Sequence, residues 1–277
     1  IGVLIPTVTQ PFLSSLISGI EITARKSGYN VIIMQSHDSY EEEVSMAKSL
    51  YSSRVSGIIC SIGMKTIDTS HFQQFVNNNI PLVFVDRVPK DFNTFRVIID
   101  NYAAGYKATK HLIDQGCKRI AHITAGSEFG NLYNERKRGY IDALKQYNLP
   151  VEKELMVDLK TVTYNEALKA STKLLDLKNR PDGLFASGDI MAVSAIQSAK
   201  RKGIRVPEDI AVIGFNNDPI SEIIDPNLST ITHPAAKMGQ MSAEIILKSI
   251  KFPNKDEVKE ITFLNTEVLV RESSKRN

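Results

Sequence analysis

Short apolar runs alternate with stretches whose apolar residues recur every three or four positions along most of the chain. That alternation predicts strands separated by helices. The run from Ile1 to Ile5 stops at Pro6. Pro11 then opens a helix whose face is Phe12, Leu13, Leu16, Ile17, Ile20 and Ala24, and Gly28 ends it. Val31 to Met34 is a second strand, followed by a helix marked by Val44, Ala47, Leu50 and Tyr51. Ile58 to Cys60, Pro81 to Asp86 and Val97 to Ile99 are further strands, with Phe72, Phe75 and Val76 lining a helix between the first two. Asn101 is placed to cap the next helix, whose inward residues are Ala104, Ala108, Leu112 and Ile113.

The pattern restarts at Arg119 to Ile123. A helix from about Asn134 to Tyr147, a strand near Leu155 to Leu159 and a helix from Asn165 to Leu177 follow. Strands this short and apolar suit a parallel sheet covered on both faces. After Pro226 the reading changes: Leu228 to Thr232 is extended, Ala235 to Ile250 is one more amphipathic helix, and Ile261 to Leu264 with Thr266 to Val270 reads as an antiparallel pair. The expected architecture is α/β, with two Rossmann-like parallel-sheet lobes joined by several crossovers. Residues 1–100 with 233–251 are expected in the first lobe, 101–232 with 261–277 in the second, and 252–260 in a crossover.

The densest stretch runs from Gly183 to Pro219. An apolar strand stops at Ser187, Gly188 and Asp189, and a helix carrying Met191, Ala192, Ala195, Ile196 and Ala199 follows. The nearly all-apolar run from Ile210 to Phe215 then releases Asn216, Asn217 and Asp218. Neighbouring parallel strands that end in short polar side chains form a binding crevice. Nothing in the stretch is an obvious nucleophile or general base.

Composition narrows the class. The 277 residues are 42% hydrophobic and 23% charged, with 34 basic and 31 acidic residues and a net charge of +3, an ordinary globular balance. The basic clusters at Lys118, Arg136 to Arg138 and Lys200 to Lys202 lie apart, without the continuous stripe expected of a nucleic-acid surface. Cys60 and Cys117 do not make a disulfide framework, and the five histidines lack metal-ligand spacing. No strand leads into a dinucleotide-binding glycine fingerprint or a phosphate-binding loop, so neither catalytic residues, metal nor cofactor are expected.

Several segments, in this order, resemble the effector-binding core of lactose-repressor and galactose-repressor type bacterial transcription regulators. They are Ile1 to Ile33, Pro81 to Arg87, Val97 to Ile123, Glu135 to Leu144, Pro181 to Pro219, Leu228 to Gly239 and Leu264 to Ser274. The VPEDIAVIGFNN stretch and the closing VRESS favour the regulators over periplasmic sugar-binding transport receptors, the alternative reading. The resemblance implies a type I periplasmic-binding-protein-like fold in a cytoplasmic homodimer. A small-molecule effector, a carbohydrate in the main reading with a sugar phosphate or purine left open, would bind between the lobes. Operator DNA would be met only through an N-terminal helix-turn-helix headpiece. A chain that opens directly on a strand, without Met, is expected to have lost that upstream segment. No membrane association is expected.

Arg136 is the foremost effector-binding candidate, since its guanidinium offers five donors in a rigid fork and the resemblance places it against effector. Asn216 follows the strand at Phe215, where the family commonly has Asp. Its amide both donates and accepts, without a carboxylate's charge. Asp86 lies at a strand end beside Arg87, where a local salt bridge competes with ligand contact. Asp189 serves either the effector or the cap of the following helix. Phe12 offers a stacking face, with core packing as its competing use, and Leu13 stands where relatives often carry a second aromatic residue. Gly188 replaces an Asn usual in relatives. Val162 falls near a position where they often carry an aromatic.

Overall fold

The structure is a computed structural model and describes residues 1–126, 131–253 and 258–276. In chain order the elements begin with β1 (Gly2–Ile5), α1 (Pro11–Lys26), β2 (Ile32–Gln35), α2 (Tyr40–Ser52), β3 (Ile58–Cys60), α3 (Gln73–Asn77), β4 (Leu82–Val85) and β5 (Phe95–Ile99). They continue with α4 (Asn101–Asp114), β6 (Ile120–Ala125), α5 (Asn131–Gln146), β7 (Met156–Leu159), α6 (Tyr164–Leu175), β8 (Gly183–Ala186) and α7 (Asp189–Arg201). The last are β9 (Ala211–Asn216), α8 (Ile220–Ile223), β10 (Ser229–Thr232), α9 (Ala235–Lys251), β11 (Ile261–Leu264) and β12 (Val268–Leu269).

Among the described residues these strands form two six-stranded sheets, ordered β11-β5-β4-β3-β1-β2 and β12-β10-β9-β8-β6-β7. All neighbours are parallel except β10 and β12. The chain divides into two compact units, Ile1–Ile99 with Pro234–Asn265 and Asp100–His233 with Thr266–Asn277. In the first, Leu4, Leu50, Ile58, Phe72, Phe75 and Phe84 bury one face of the sheet. In the second, Ile123, Leu174, Leu184, Ile196, Val212 and Leu228 do the same.

The expected antiparallel pair at the C-terminal end is corrected. β11 runs parallel to β5, pairing Ile261 with Arg96 and Phe263 with Ile98, so residues 261–265 complete the first sheet and not the second. β12 pairs antiparallel with β10. Both segments read as short strands. Their partners were decided by which sheet edge lay open to each, a long-range matter that local pattern does not carry.

Each unit contains a pair of helices crossing at backbone contact. A Cβ at Gly19 of α1 would lie 2.1 Å from the Ala236 carbonyl oxygen of α9, and one at Gly239 would lie 2.1 Å from that of Leu16. In the second unit a Cβ at Gly105 of α4 would lie 2.2 Å from the Arg136 carbonyl oxygen, and one at Gly139 of α5 would lie 2.2 Å from that of Tyr102. Only glycine permits this approach. Within each parallel sheet the strands' carboxyl ends share one edge, and the candidate residues lie along those edges. Among the described residues no helix is long and apolar enough to cross a membrane.

Candidate functional site

The crossing of α4 and α5 places Arg136. The helix starts at Asn131 instead of Asn134, so Arg136 sits in its second turn, with 3% of its surface exposed. Its Nε donates to Asn101 Oδ1 at 2.8 Å, and its Nη1 donates to the Ser187 carbonyl, just past β8, at 3.0 Å. The guanidinium carbon lies 3.5 Å from the centroid of the Phe215 ring. Cation–π attraction and two fixed hydrogen bonds hold the fork in one orientation. Asn101 does not cap α4. Asp100 does so, accepting from the Ala103 N–H at 2.8 Å, and the Asn101 amide anchors Arg136.

Asn216 ends β9 with φ of 114°, and Asn217 follows at 57°, both in the region that Asn tolerates better than most residues. The Asn216 Oδ1 lies 3.3 Å from His233 Nδ1, and its Nδ2 donates to Asp218 Oδ2 at 3.5 Å. Burial, then the positive charge of Arg136, holds His233 well below the ordinary imidazole range, so the ring is neutral. Burial raises Asp218 to about 6. The Asn217 amide oxygen faces inward, accepting from Arg271 Nη2 at 2.9 Å and Ser221 Oγ at 3.3 Å. Arg271 belongs to the VRESS stretch. Its neighbours Ser273 and Ser274 bond to Val212 and Ser229, so this terminal motif stitches the sheet behind the loop.

Asp189 is neither the cap of α7 nor open to a ligand through a loose side chain. Gly188 occupies the cap position in extended backbone, φ −174°, and Asp189 is the first helical residue, fully buried. The Thr230 hydroxyl donates to one of its carboxyl oxygens and the Asp218 backbone N–H to the other, each at 2.7 Å. The strand-end loop is thereby tied to the start of α7. Burial raises this carboxyl to about 8.

In the first unit, Phe12 and Leu13 lie in the first turn of α1, 8% and 2% exposed. Asp86 follows β4 at φ 61°. Arg87 donates to Asp38 Oδ1 at 2.6 Å, which also accepts from the Met64 N–H at 2.9 Å, tying the carboxyl ends of β2, β3 and β4. The loop after β3 is held further by the buried Glu43, which accepts from the Gly63 N–H at 2.6 Å and the Thr66 hydroxyl at 2.9 Å. Val162 packs at the edge of the second unit's core.

The structure therefore brings Arg136, Asn216 and Asp189 onto the carboxyl edge of the second sheet, and Phe12, Leu13 and Asp86 onto that of the first. Sequence reasoning missed Asn101, Ser187, Phe215, Asp218, His233 and Arg271 as partners of these groups. Arg271 stood out only as part of the closing VRESS motif.

The sequence profile of the periplasmic binding protein-like domain matches residues 109–274. The chain is 32% identical over 249 residues to the HTH-type transcriptional repressor CytR of Escherichia coli, covering 90% of this chain and 72% of that protein. The chain belongs to the lactose-repressor family of transcription regulators. It is also 30% identical over 278 residues to the ribose operon repressor of Halalkalibacterium halodurans, covering 99% of this chain and 79% of that one. Among solved structures it is similar to a regulator of this family from Enterococcus faecium with bound ribose. That likeness has 27% identity and a TM-score of 0.85, and covers 99% and 97% of the two chains. The likeness to that solved structure covers both units, so the periplasmic-binding-protein-like fold expected from the resemblance holds for the whole chain.

Proposed function

We propose that the chain is the effector-sensing and dimerisation core of a cytoplasmic, DNA-binding transcription regulator. Its effector is a small polar molecule, a sugar or sugar derivative, and effector binding modulates operator binding. The observation that carries this reading is the fixed guanidinium of Arg136. It is buried over the Phe215 ring of β9, the strand that Asn216 ends, and is anchored by Asn101 and Ser187. A preorganised donor fork next to an amide suits hydroxyl and carbonyl oxygens and has no nucleophile to act on them. Asp86, Phe12 and Leu13 are proposed to add an acceptor and an apolar wall from the first unit. Asp189 is proposed to serve the effector indirectly, through the loop it holds. The solved relative with bound ribose supports the carbohydrate class.

Effector binding would shift a two-state equilibrium that a DNA-binding segment reports. The test is a thermal-shift screen of sugars, sugar phosphates and nucleobases, followed by calorimetry. The expected result is a sugar-class hit whose affinity collapses in Arg136→Ala. An unchanged affinity in that variant would remove Arg136 from the site.

A further inference from the structure

The candidate effector residues of the first unit lie along the carboxyl edge of its sheet. At the opposite, amino edge, β4 begins at Leu82 and β5 at Phe95, and a cavity of about 240 Å³ opens between them and the last turn of α9. Leu82 and Phe95, 3% and 9% exposed, are its buried apolar part. Asn79 and Asn93 line it as exposed residues, and Ser249 and Lys259 as half-buried ones. The wall is fixed by the sheet itself. The Thr94 hydroxyl donates to the Leu82 carbonyl, and the Arg96 N–H donates to the Glu260 carbonyl at 3.2 Å, which holds the segment carrying Lys259 beside Phe95.

An apolar interior with a few polar groups around it is the make-up of a small-molecule pocket. The volume falls below the roughly 300–1,000 Å³ of pockets for drug-sized ligands, so a single ring with one short polar group fits and a nucleotide does not. Charge selects the polar group. Lys259 Nζ lies 4.6 Å from the centroid of the Phe95 ring, and among the described residues no carboxylate is within ion-pair distance of it. Nor do the Asn79 and Asn93 amides or the Ser249 hydroxyl hydrogen-bond to any described residue, so donors of both kinds are open to a ligand. The carbonyl end of α9 disfavours an anion here, and Lys248 and Lys251 in its last turn oppose that effect.

We propose that this cavity is a second small-molecule site, for a monocyclic carboxylate whose ring packs on Leu82 and Phe95 and whose charge meets Lys259. It goes beyond the effector reading and does not depend on it, because it uses the other edge of the sheet and none of the residues assigned to the effector.

Benzoate and nicotinate serve as probes, with their neutral amides, benzamide and nicotinamide, as controls. Amide proton–nitrogen NMR locates binding and calorimetry measures it. Expected are shifts at Thr94, Phe95 and Lys259, a Kd of about 1 mM or tighter for an acid, and at least about tenfold weaker binding of its amide. Lys259→Gln should erase the preference for the acid. Ser249→Phe, which fills the cavity from α9, should abolish binding of both, and Arg136→Ala should leave the acid's affinity unchanged. Shifts confined to Arg136 and Asn216 overturn the inference, since the acid would then occupy the effector crevice. So does an acid that shifts none of these residues, an amide bound as tightly as its acid, or a preference that survives Lys259→Gln. Binding that persists in Ser249→Phe also overturns it. A sugar-class effector lost in Arg136→Ala tests the effector reading separately, whichever way these probes behave.

Discussion

Thr230 donates its hydroxyl to the buried carboxyl of Asp189 at 2.7 Å, joining β10 to the first residue of α7. The carboxyl is raised to about 8, chiefly by burial, so between about pH 4 and pH 8 the folded chain keeps a proton there that the unfolded chain has lost. Stability from this group is full below pH 4 and is lost as the pH rises through 8. The neutral histidines His122 and His233 act in the opposite direction, since burial lowers both, but their effect ends near the ordinary imidazole range. The clean reading is thus a difference. Wild type minus Asp189→Asn, followed by denaturant melts, should fall with a slope of at most about 1.4 kcal/mol per pH unit up to pH 8 and then level off. A flat difference would show that the proton is not held there.

Arg136→Lys keeps the charge but loses the planar fork. The Asn101 amide oxygen and the Ser187 carbonyl cannot both be satisfied by one ammonium in the same geometry. Thermal and chemical denaturation should register a loss of about 1–3 kcal/mol. Affinity for the effector found by screening should fall by at least about tenfold. Wild-type affinity in this variant would mean that charge alone suffices.

Two glycines should behave oppositely. Gly139→Ala drives a Cβ into the Tyr102 backbone carbonyl, where no side chain can give way, and should cost about 1–3 kcal/mol while displacing Arg136. At Gly188 the nearest atom to a new Cβ is the flexible end of Met191 at 3.3 Å, and the backbone is extended. Gly188→Asn should therefore be accommodated and add a side-chain cap to α7, with a gain of a few tenths of a kcal/mol. Equal melting shifts for the two variants would contradict the close helix crossing.

The proposed homodimer needs a surface. β2 is an edge strand that leaves Ile32 and Ile33 39% and 42% exposed beside α2. Apolar residues on an open edge are a ready contact for a second copy. Light scattering over a concentration series should give the dimer mass, and Ile33→Glu should shift the equilibrium towards monomer. A monomer at every concentration would end the proposal.

Much of the fold was legible in sequence because its cause is local. Apolar runs bounded by Pro6, Gly28 and Gly203 specify strands and helices through burial and backbone freedom, and their alternation implies parallel sheets. The Gly183 to Pro219 stretch showed the strand-end polar groups directly, and the resemblance singled out Arg136. The partner of Ile261 to Leu264, the role of Asn101 and the orientation of Asn216 were not legible. Asn101 and Arg136 are 35 residues apart, and Asn216 and His233 are 17 apart. Such pairings exist only after the sheets and the glycine-permitted helix crossings have brought those groups together. The chain's own periodicity thus determined which segments are strands and which are helices. Tertiary packing alone decided which sheet edge each terminal strand joined and which partner each polar side chain found, because buried donors and acceptors must be satisfied.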